Sequence, residues 1–231
     1  MRELSAQLMQ AQDEERRKLA RDLHDSTGQI LTAIQLDLSL SLPQLPEDSD
    51  VASRLTRTID LTNQVIGEIR TVSHLLHPPL LDEAGLALAL TNFVEGFEER
   101  SQIAVTLALP SVADRLPPEL ETALFRIVQE CLTNIHRHSG STEASVRLTA
   151  ENGMIGLEVR DKGCGSDEAT APNGYKMGVG IRGMRERVRL LNGTFEISDA
   201  NPGTLVSVKL PVPGTEASEK NTTRGTLANV S

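Results

Sequence analysis

The sequence lacks most of what would assign it to a membrane, an oxidising compartment or a nucleic acid. Only Cys131 and Cys164 are cysteines, and neither belongs to a paired-cysteine motif, so a disulfide framework or a zinc site has no support. That usage fits a reducing cytoplasm. No apolar run approaches the ~18 residues of a membrane helix, and Met1 to Gln7 lacks the apolar core of a signal peptide. Any membrane sensor lies outside this chain, and a start inside a helical pattern suggests that a sensor segment precedes it or resides elsewhere. Basic residues are outnumbered, 23 against 32 acidic, for a formal charge of −9. Such a chain repels polyanions and offers no general basic surface to a nucleic-acid backbone. Proline is absent from Leu4 through Leu42.

What is present supports a core. The 231 residues are 39% hydrophobic, enough for two modest domains or one large one. Apolar residues recur at helical spacing through Leu4, Leu8, Ala11, Leu19, Leu23, Ile30, Ile34 and Leu38, predicting a rod on the order of 60 Å long. Pro43 and Pro46 break it. Ser49 or Asp50 caps a second helix through Val51, Leu55, Ile59, Val65, Ile66, Ile69 and Val72, which stops near His77 ahead of Pro78-Pro79. Two long amphipathic helices joined by a short loop form an antiparallel hairpin, and two hairpins bury their stripes together as a four-helix bundle. A homodimer is the expectation.

After about residue 84 strand and helix signals alternate. Ile103 to Leu109 reads as a strand, and Pro117-Pro118-Glu119 opens a helix to about His138. Val146 to Ala150 and Met154 to Arg160 flank a hairpin turn at Glu151-Asn152-Gly153, and Phe195 to Ser198 and Leu205 to Leu210 flank Asn201-Pro202-Gly203. A helix runs from about Ile181 to Leu191. The expected organisation is 1–80 for the hairpin, 84–213 for an α/β domain and 214–231 for a disordered tail without apolar periodicity.

Three segments of the second domain suit one ligand. Glu130, Asn134 and His138 are spaced to share a helix face, with Arg137 beside them: oxygen ligands suited to Mg²⁺ next to a cation suited to phosphate. Alone, the set reads more readily as a solvated face than as a ligand site. Asp161-Lys162-Gly163-Cys164-Gly165 follows a strand, where glycines admit a ligand to the backbone and a carboxylate can accept from an exocyclic amine. Gly178-Val179-Gly180-Ile181-Arg182-Gly183 opens a helix whose free N–H groups suit phosphates.

In the first domain, His24 lies beside Asp25 within Glu15 to Gln29. An unprotonated imidazole can attack a γ-phosphorus, and an adjacent carboxylate can hold its tautomer or take its proton, so Asp25 is the candidate general base. Gln29 lies four residues after Asp25, one α-helical turn along the same face, where an amide can orient water. Without a phosphoryl donor, His24 reads as an ordinary exposed histidine. His74 and His77 suit the C-terminal end of their helix, and Arg16-Arg17-Lys18 with Arg21 reads as a solvated face paired with Asp13, Glu14 and Glu15 or as an attractor for acidic surfaces.

The order of the three downstream segments resembles the GHKL ATP-binding fold of histidine kinases and gyrase-type topoisomerases. Glu130 to His138 matches its asparagine box, and Asp161 to Gly165 and Gly178 to Gly183 match its glycine boxes. The resemblance implies that Asn134 coordinates Mg²⁺, Asp161 contacts the adenine amino group, Gly163 and Gly165 shape the pocket floor, and Arg137 and His138 lie near phosphate. Residues 166–177 then resemble a lid that closes over ATP. Glu14 to Gln29 together with Leu76-His77-Pro78-Pro79-Leu80-Leu81 resembles the dimerisation and histidine-phosphotransfer domain of nitrate-sensor-type two-component histidine kinases. That branch implies a cytoplasmic enzyme that phosphorylates His24 from Mg-ATP, passes the group to an aspartate of a response regulator with a helix-turn-helix output domain, and dephosphorylates it through Gln29. The competing readings are a non-catalytic ATP-binding scaffold and a serine kinase of the anti-sigma type.

Overall fold

The computed structural model describes residues 2–46, 49–110, 115–163 and 179–213. The expected tail at 214–231 and the lid at 166–177 lie outside them. The chain divides into two compact units, Met1–Ala84 and Gly85–Ser231.

The first unit is a helical hairpin. Helix α1 (Arg2–Asp22) passes into a π-helical turn (Leu23–Gly28) and then α2 (Gln29–Ser41), which ends in a 3-10 turn (Leu42–Gln44) carrying Pro43. The uninterrupted α-helix expected from Leu4 to Leu42 is therefore corrected: the helical path continues, but its winding changes around His24. Asp25-Ser26-Thr27-Gly28 is a run of four poor α-helix formers, which lowers the penalty for the wider turn. Helix α3 (Asp50–Leu76) starts at a true cap, since the Ser49 side chain accepts from the Ala52 N–H at 3.0 Å. A short α4 (Pro79–Glu83) follows the double proline.

The base of the hairpin is clamped by polar groups that the spacing did not reveal. Ser73, fully buried, donates its hydroxyl to the Ala20 carbonyl at 2.9 Å. Asp82 of α4 accepts from Arg17 Nε at 2.7 Å with one oxygen, and its other oxygen lies 3.1 Å from Nε2 of the buried His77. His77, the C-cap of α3, is buried and partners Asp82, and Arg17 of the basic run is the second partner. Asp82→Ala is expected to cost about 1–2 kcal/mol, because the Arg17 arm is half exposed and only the His77 arm is buried. Thermal denaturation should show a midpoint lower by several degrees.

Several large apolar residues of the hairpin remain exposed in the single chain, among them Leu8, Ile30, Ile34, Leu40, Leu61 and Val65. Ile30 and Ile34 belong to the stripe that the helical spacing assigns to the hairpin seam. Among the residues of α1 whose burial is described, Ala20 is the buried one.

The second unit is a two-layer α/β sandwich. Its five-stranded sheet has the order β1-β2-β3-β5-β4, where β1 (Ala104–Ala108) pairs parallel to β2 (Glu143–Glu151) and every other neighbour is antiparallel. β2 and β3 (Met154–Asp161) are joined by Asn152-Gly153, both at positive φ, as a two-residue turn with the hand of the strand twist requires. β4 (Thr194–Asp199) and β5 (Thr204–Pro211) form the second hairpin.

Helices α5 (Leu86–Ser101), α6 (Pro118–Asn134) and α7 (Val179–Leu190) make the other layer. Residues 86–101 carry no clear element signal in the sequence, yet Leu86, Ala89, Leu90, Phe93, Val94 and Phe97 are buried at helical intervals. Leu124, Ile127 and Val128 of α6 and Val146, Leu157 and Val159 of the sheet are fully buried, each such side chain contributing roughly 1.5–3 kcal/mol. On β3 the alternation of Ile155, Leu157 and Val159 continues to Asp161. Strand parity alone therefore carries a carboxylate onto the inner face.

Candidate functional site: a nucleotide pocket and an exposed histidine

The three segments singled out in the second unit meet at one end of the sandwich. Glu130 and Asn134 share a face of α6, with Asn134 Nδ2 at 3.5 Å from Glu130 Oε1. A Cβ on Gly180, in the first turn of α7, would collide with that Glu130 carboxylate. Glycine at 180 lets the α7 N-terminus lie directly against the Glu130 and Asn134 face. Beneath them Cys131 Sγ meets Met184 Sδ at 3.7 Å, and burial, with the Glu130 charge adding to it, pushes the Cys131 thiol far above its ordinary range. Cys131 is packing, not chemistry.

After Asn134 the chain winds into a second π turn (Ile135–Ser139), closed by Gly140 in the left-handed region. This corrects the expectation that His138 sits one turn below Asn134. A π turn closes residue i to residue i+5, and in it Ser139 is buried while Arg137 and His138 are exposed. His136, given no catalytic role from its spacing, packs edge-on to Phe97 with ring centroids 6.3 Å apart. Ser139 meets the first glycine box directly, since a Cβ on Gly163 would collide with its backbone carbonyl. Gly163 is thus required by close approach of two backbones, a constraint that the glycine-box pattern contains but the spacing does not explain.

Asp161 is 4% exposed, and both its oxygens are held. One accepts from the Gly163 N–H at 2.8 Å, the other from the Thr204 N–H at 3.3 Å. Gly203, at φ +93, packs its α-carbon on the Asp161 carbonyl, where a Cβ would clash. Thr204 and Gly203 hold Asp161 in place and were not singled out from the sequence, although Pro202-Gly203 marks the turn that delivers them. Lys162 extends outward to Glu143 at 2.6 Å and holds that carboxyl below its usual range. Nothing lies within 4 Å of a Cβ built on Gly183, and Gly165 and Gly178 fall outside the described residues.

In the first unit His24 and Asp25 lie in the π turn and Gln29 opens α2, all three exposed.

Two family models match the chain: "Histidine kinase" over residues 15–81, and "Histidine kinase-, DNA gyrase B-, and HSP90-like ATPase" over residues 119–214. The chain belongs to the sensor histidine kinases. His24 falls in the first match, and Asn134, Asp161, Gly163 and Gly180 in the second. Among curated relatives, the kinase is 32% identical to the sensor histidine kinase MctS of Rhizobium johnstonii, over 91% of this chain and 46% of that protein. It is also 32% identical to the signal transduction histidine-protein kinase/phosphatase DegS of Brevibacillus brevis, over 89% of this chain and 53% of that one. The chain spans about half the length of these relatives. The histidine kinase domain of the Erythrobacter litoralis EL346 blue-light activated histidine kinase shares the fold, with a TM-score of 0.51 and 19% identity over 80% of this chain and 94% of that one. No described helix of this kinase is long and apolar enough to cross a membrane.

Proposed function

We propose that the chain is an ATP-dependent protein-histidine kinase core that phosphorylates His24 and hands the group to an aspartate of a response regulator with a helix-turn-helix output domain. The observation that carries the reading is the glycine cradle: Gly163 against the Ser139 carbonyl and Gly180 against Glu130, around an Asp161 whose oxygens are fixed by two backbone N–H groups. A cradle that a single Cβ would fill, beside an oriented buried carboxylate, fits an adenine nucleotide. Asp161 would accept from the exocyclic amine, and Gly163 and Gly165 would form the floor. The loop from Gly178 through Gly180 to Gly183, with Arg137 and His138 opposite, would face the phosphates. Asn134, with Glu130 beside it, supplies hard oxygen donors for Mg²⁺, which when bound compensates phosphate charge.

His24 then provides the nucleophile. The lone pair of its unprotonated nitrogen attacks the γ-phosphorus in line, the bond from that phosphorus to the bridging oxygen breaks, and ADP leaves with the electron pair. Asp25, adjacent and exposed, stabilises the charged ring and takes its other proton. Transfer to a regulator carboxylate reverses the event at His24. The exposed apolar residues of the hairpin, Leu8, Ile30, Ile34 and Leu40 among them, support a homodimer that closes a four-helix bundle over residues 1–80, with the ATP-binding part at 84–213.

Gln29 supports the reverse activity by orienting water on the phosphoryl-aspartate of a docked regulator. In Gln29→Ala the rate of regulator dephosphorylation should fall about 100-fold, with autophosphorylation retained. A rate equal to wild type in a single-turnover assay would remove Gln29 from that role.

A further inference from the structure

We infer that Ser139 and Ser141 are positioning residues for the nucleotide, because their hydroxyls tie the segment that follows Asn134 to the segment that carries Asp161. This rests on the nucleotide reading of the second unit and adds to it the groups that set the spacing of the site. Neither serine belongs to the asparagine box or to a glycine box.

The two ends of the proposed site sit on different elements. Asn134 ends α6, whereas Asp161 ends β3 and Gly163 follows two residues later. Between them in sequence the chain makes the π turn Ile135–Ser139, reverses at Gly140 with φ +64, and enters β2 at Glu143. Ser139 and Ser141 flank that reversal, and both are buried.

Their hydrogen bonds form one path. Ser139 Oγ donates at 2.8 Å to the carbonyl of Ile135, the residue next to Asn134. The same oxygen accepts from the Ser141 N–H at 3.0 Å. Ser141 Oγ in turn accepts at 3.2 Å from the N–H of Lys162, which lies between Asp161 and Gly163. Its other bonds go to Glu143, accepting from the N–H at 3.2 Å and donating to the carbonyl at 2.6 Å, so its proton and both lone pairs are used. Lys162 is one residue past the pairing of Ala144 with Asp161, the last of the β2–β3 ladder. The Ser141 hydroxyl thus supplies an acceptor where the strand pairing stops. Close packing joins the same segments, since a Cβ on Gly163 would collide with the Ser139 carbonyl. The glycine permits the approach, and the hydroxyls give it a direction, because hydrogen bonds weaken steeply when misaligned.

Such a path matters for a ligand that engages both ends at once. Asp161 would meet the adenine amine and Asn134 the phosphate-bound Mg²⁺, so affinity for the whole ligand depends on the spacing of the two being set before binding. A ligand held at the adenine end alone needs only a fixed Asp161. The Gly163 and Thr204 N–H groups that fix it involve neither serine.

The test is to titrate the full chain with a non-hydrolysable ATP analogue and Mg²⁺, and separately with adenosine, followed by displacement of a fluorescent nucleotide. Ser141→Ala and Ser139→Ala should each weaken the Mg-bound analogue about 10-fold, with adenosine affinity held close to wild type. The double variant should lose no more than the larger single loss, because both side chains act on one path. Ser139→Ala leaves the acceptor of the Lys162 N–H in place and reads the path even where Ser141→Ala does not fold. Equal losses for both ligands would show general damage and overturn the inference, as would unchanged affinity for the analogue or multiplied losses in the double variant. Asp161→Asn separates the positioning role from the site itself and should weaken both ligands. Adenosine weakened by Asp161→Asn, with analogue binding intact in both serine variants, would overturn the path and leave the nucleotide reading standing. Wild-type binding of both ligands by Asp161→Asn would overturn both.

Discussion

The His24→Gln protein takes up no label from γ-labelled ATP, while its affinity for ATP matches that of wild type. Glutamine keeps a polar side chain of similar reach on an exposed turn, so the hairpin is undisturbed. What disappears is the only nitrogen lone pair at that position able to form a bond to phosphorus. Loss of an attacking nucleophile costs on the order of 10⁶ in rate, which places labelling below detection. ATP affinity is unaffected because the groups assigned to the nucleotide belong to the unit Gly85–Ser231, whereas His24 belongs to Met1–Ala84. Calorimetric titration with a non-hydrolysable ATP analogue measures the second half of the expectation. A variant that lost binding together with labelling would have been damaged more widely than the assignment allows.

Gly163→Ala has the next largest effect. The added Cβ would press into the carbonyl of Ser139, and neither partner is a flexible side-chain end that could swing aside. Either the β3 end or the π turn after α6 must move, and the first carries Asp161 while the second follows Asn134. Overpacking of this kind costs about 1–3 kcal/mol, and because the displaced groups line the pocket the cost falls on nucleotide binding. ATP affinity should drop roughly 10- to 100-fold, with labelling falling in proportion at ATP concentrations below the new Kd. Titration of the variant at unchanged affinity would show that the close approach of Gly163 and Ser139 does not shape the pocket.

Much of this was legible from residue order. Strand alternation around Asn152-Gly153 fixed the central hairpin because both turn residues tolerate positive φ, and the same alternation carried Asp161 inward. The Ser49 cap and the stop before Pro78-Pro79 are local signals with local causes. The π turns were not legible. They reflect a small balance between α and wider winding, and Asp25-Ser26-Thr27-Gly28 shows only that the balance is weak. Reading both segments as ordinary α-helix left the change of winding at His24 and after Asn134 unseen. Helix α5 escaped because Leu86-Ala87-Leu88-Ala89-Leu90 alternates like a strand before Phe93 and Phe97 establish the helical period. The Arg17, Asp82 and His77 clamp and the Thr204 N–H on Asp161 join residues up to 65 positions apart, and no spacing rule connects them.

The central claim is that the nucleotide pocket of the second unit phosphorylates the imidazole of His24. The most direct measurement is to incubate the full chain with γ-labelled ATP and Mg²⁺, divide the product between acid and alkali, and map the retained phosphate by mass spectrometry. A phosphorus–nitrogen bond on His24 gives label lost in acid, stable in alkali and located in the peptide containing residue 24. Acid-stable label on a serine or threonine would instead identify a serine kinase, and ATP binding without any label would identify a scaffold; either result contradicts the account.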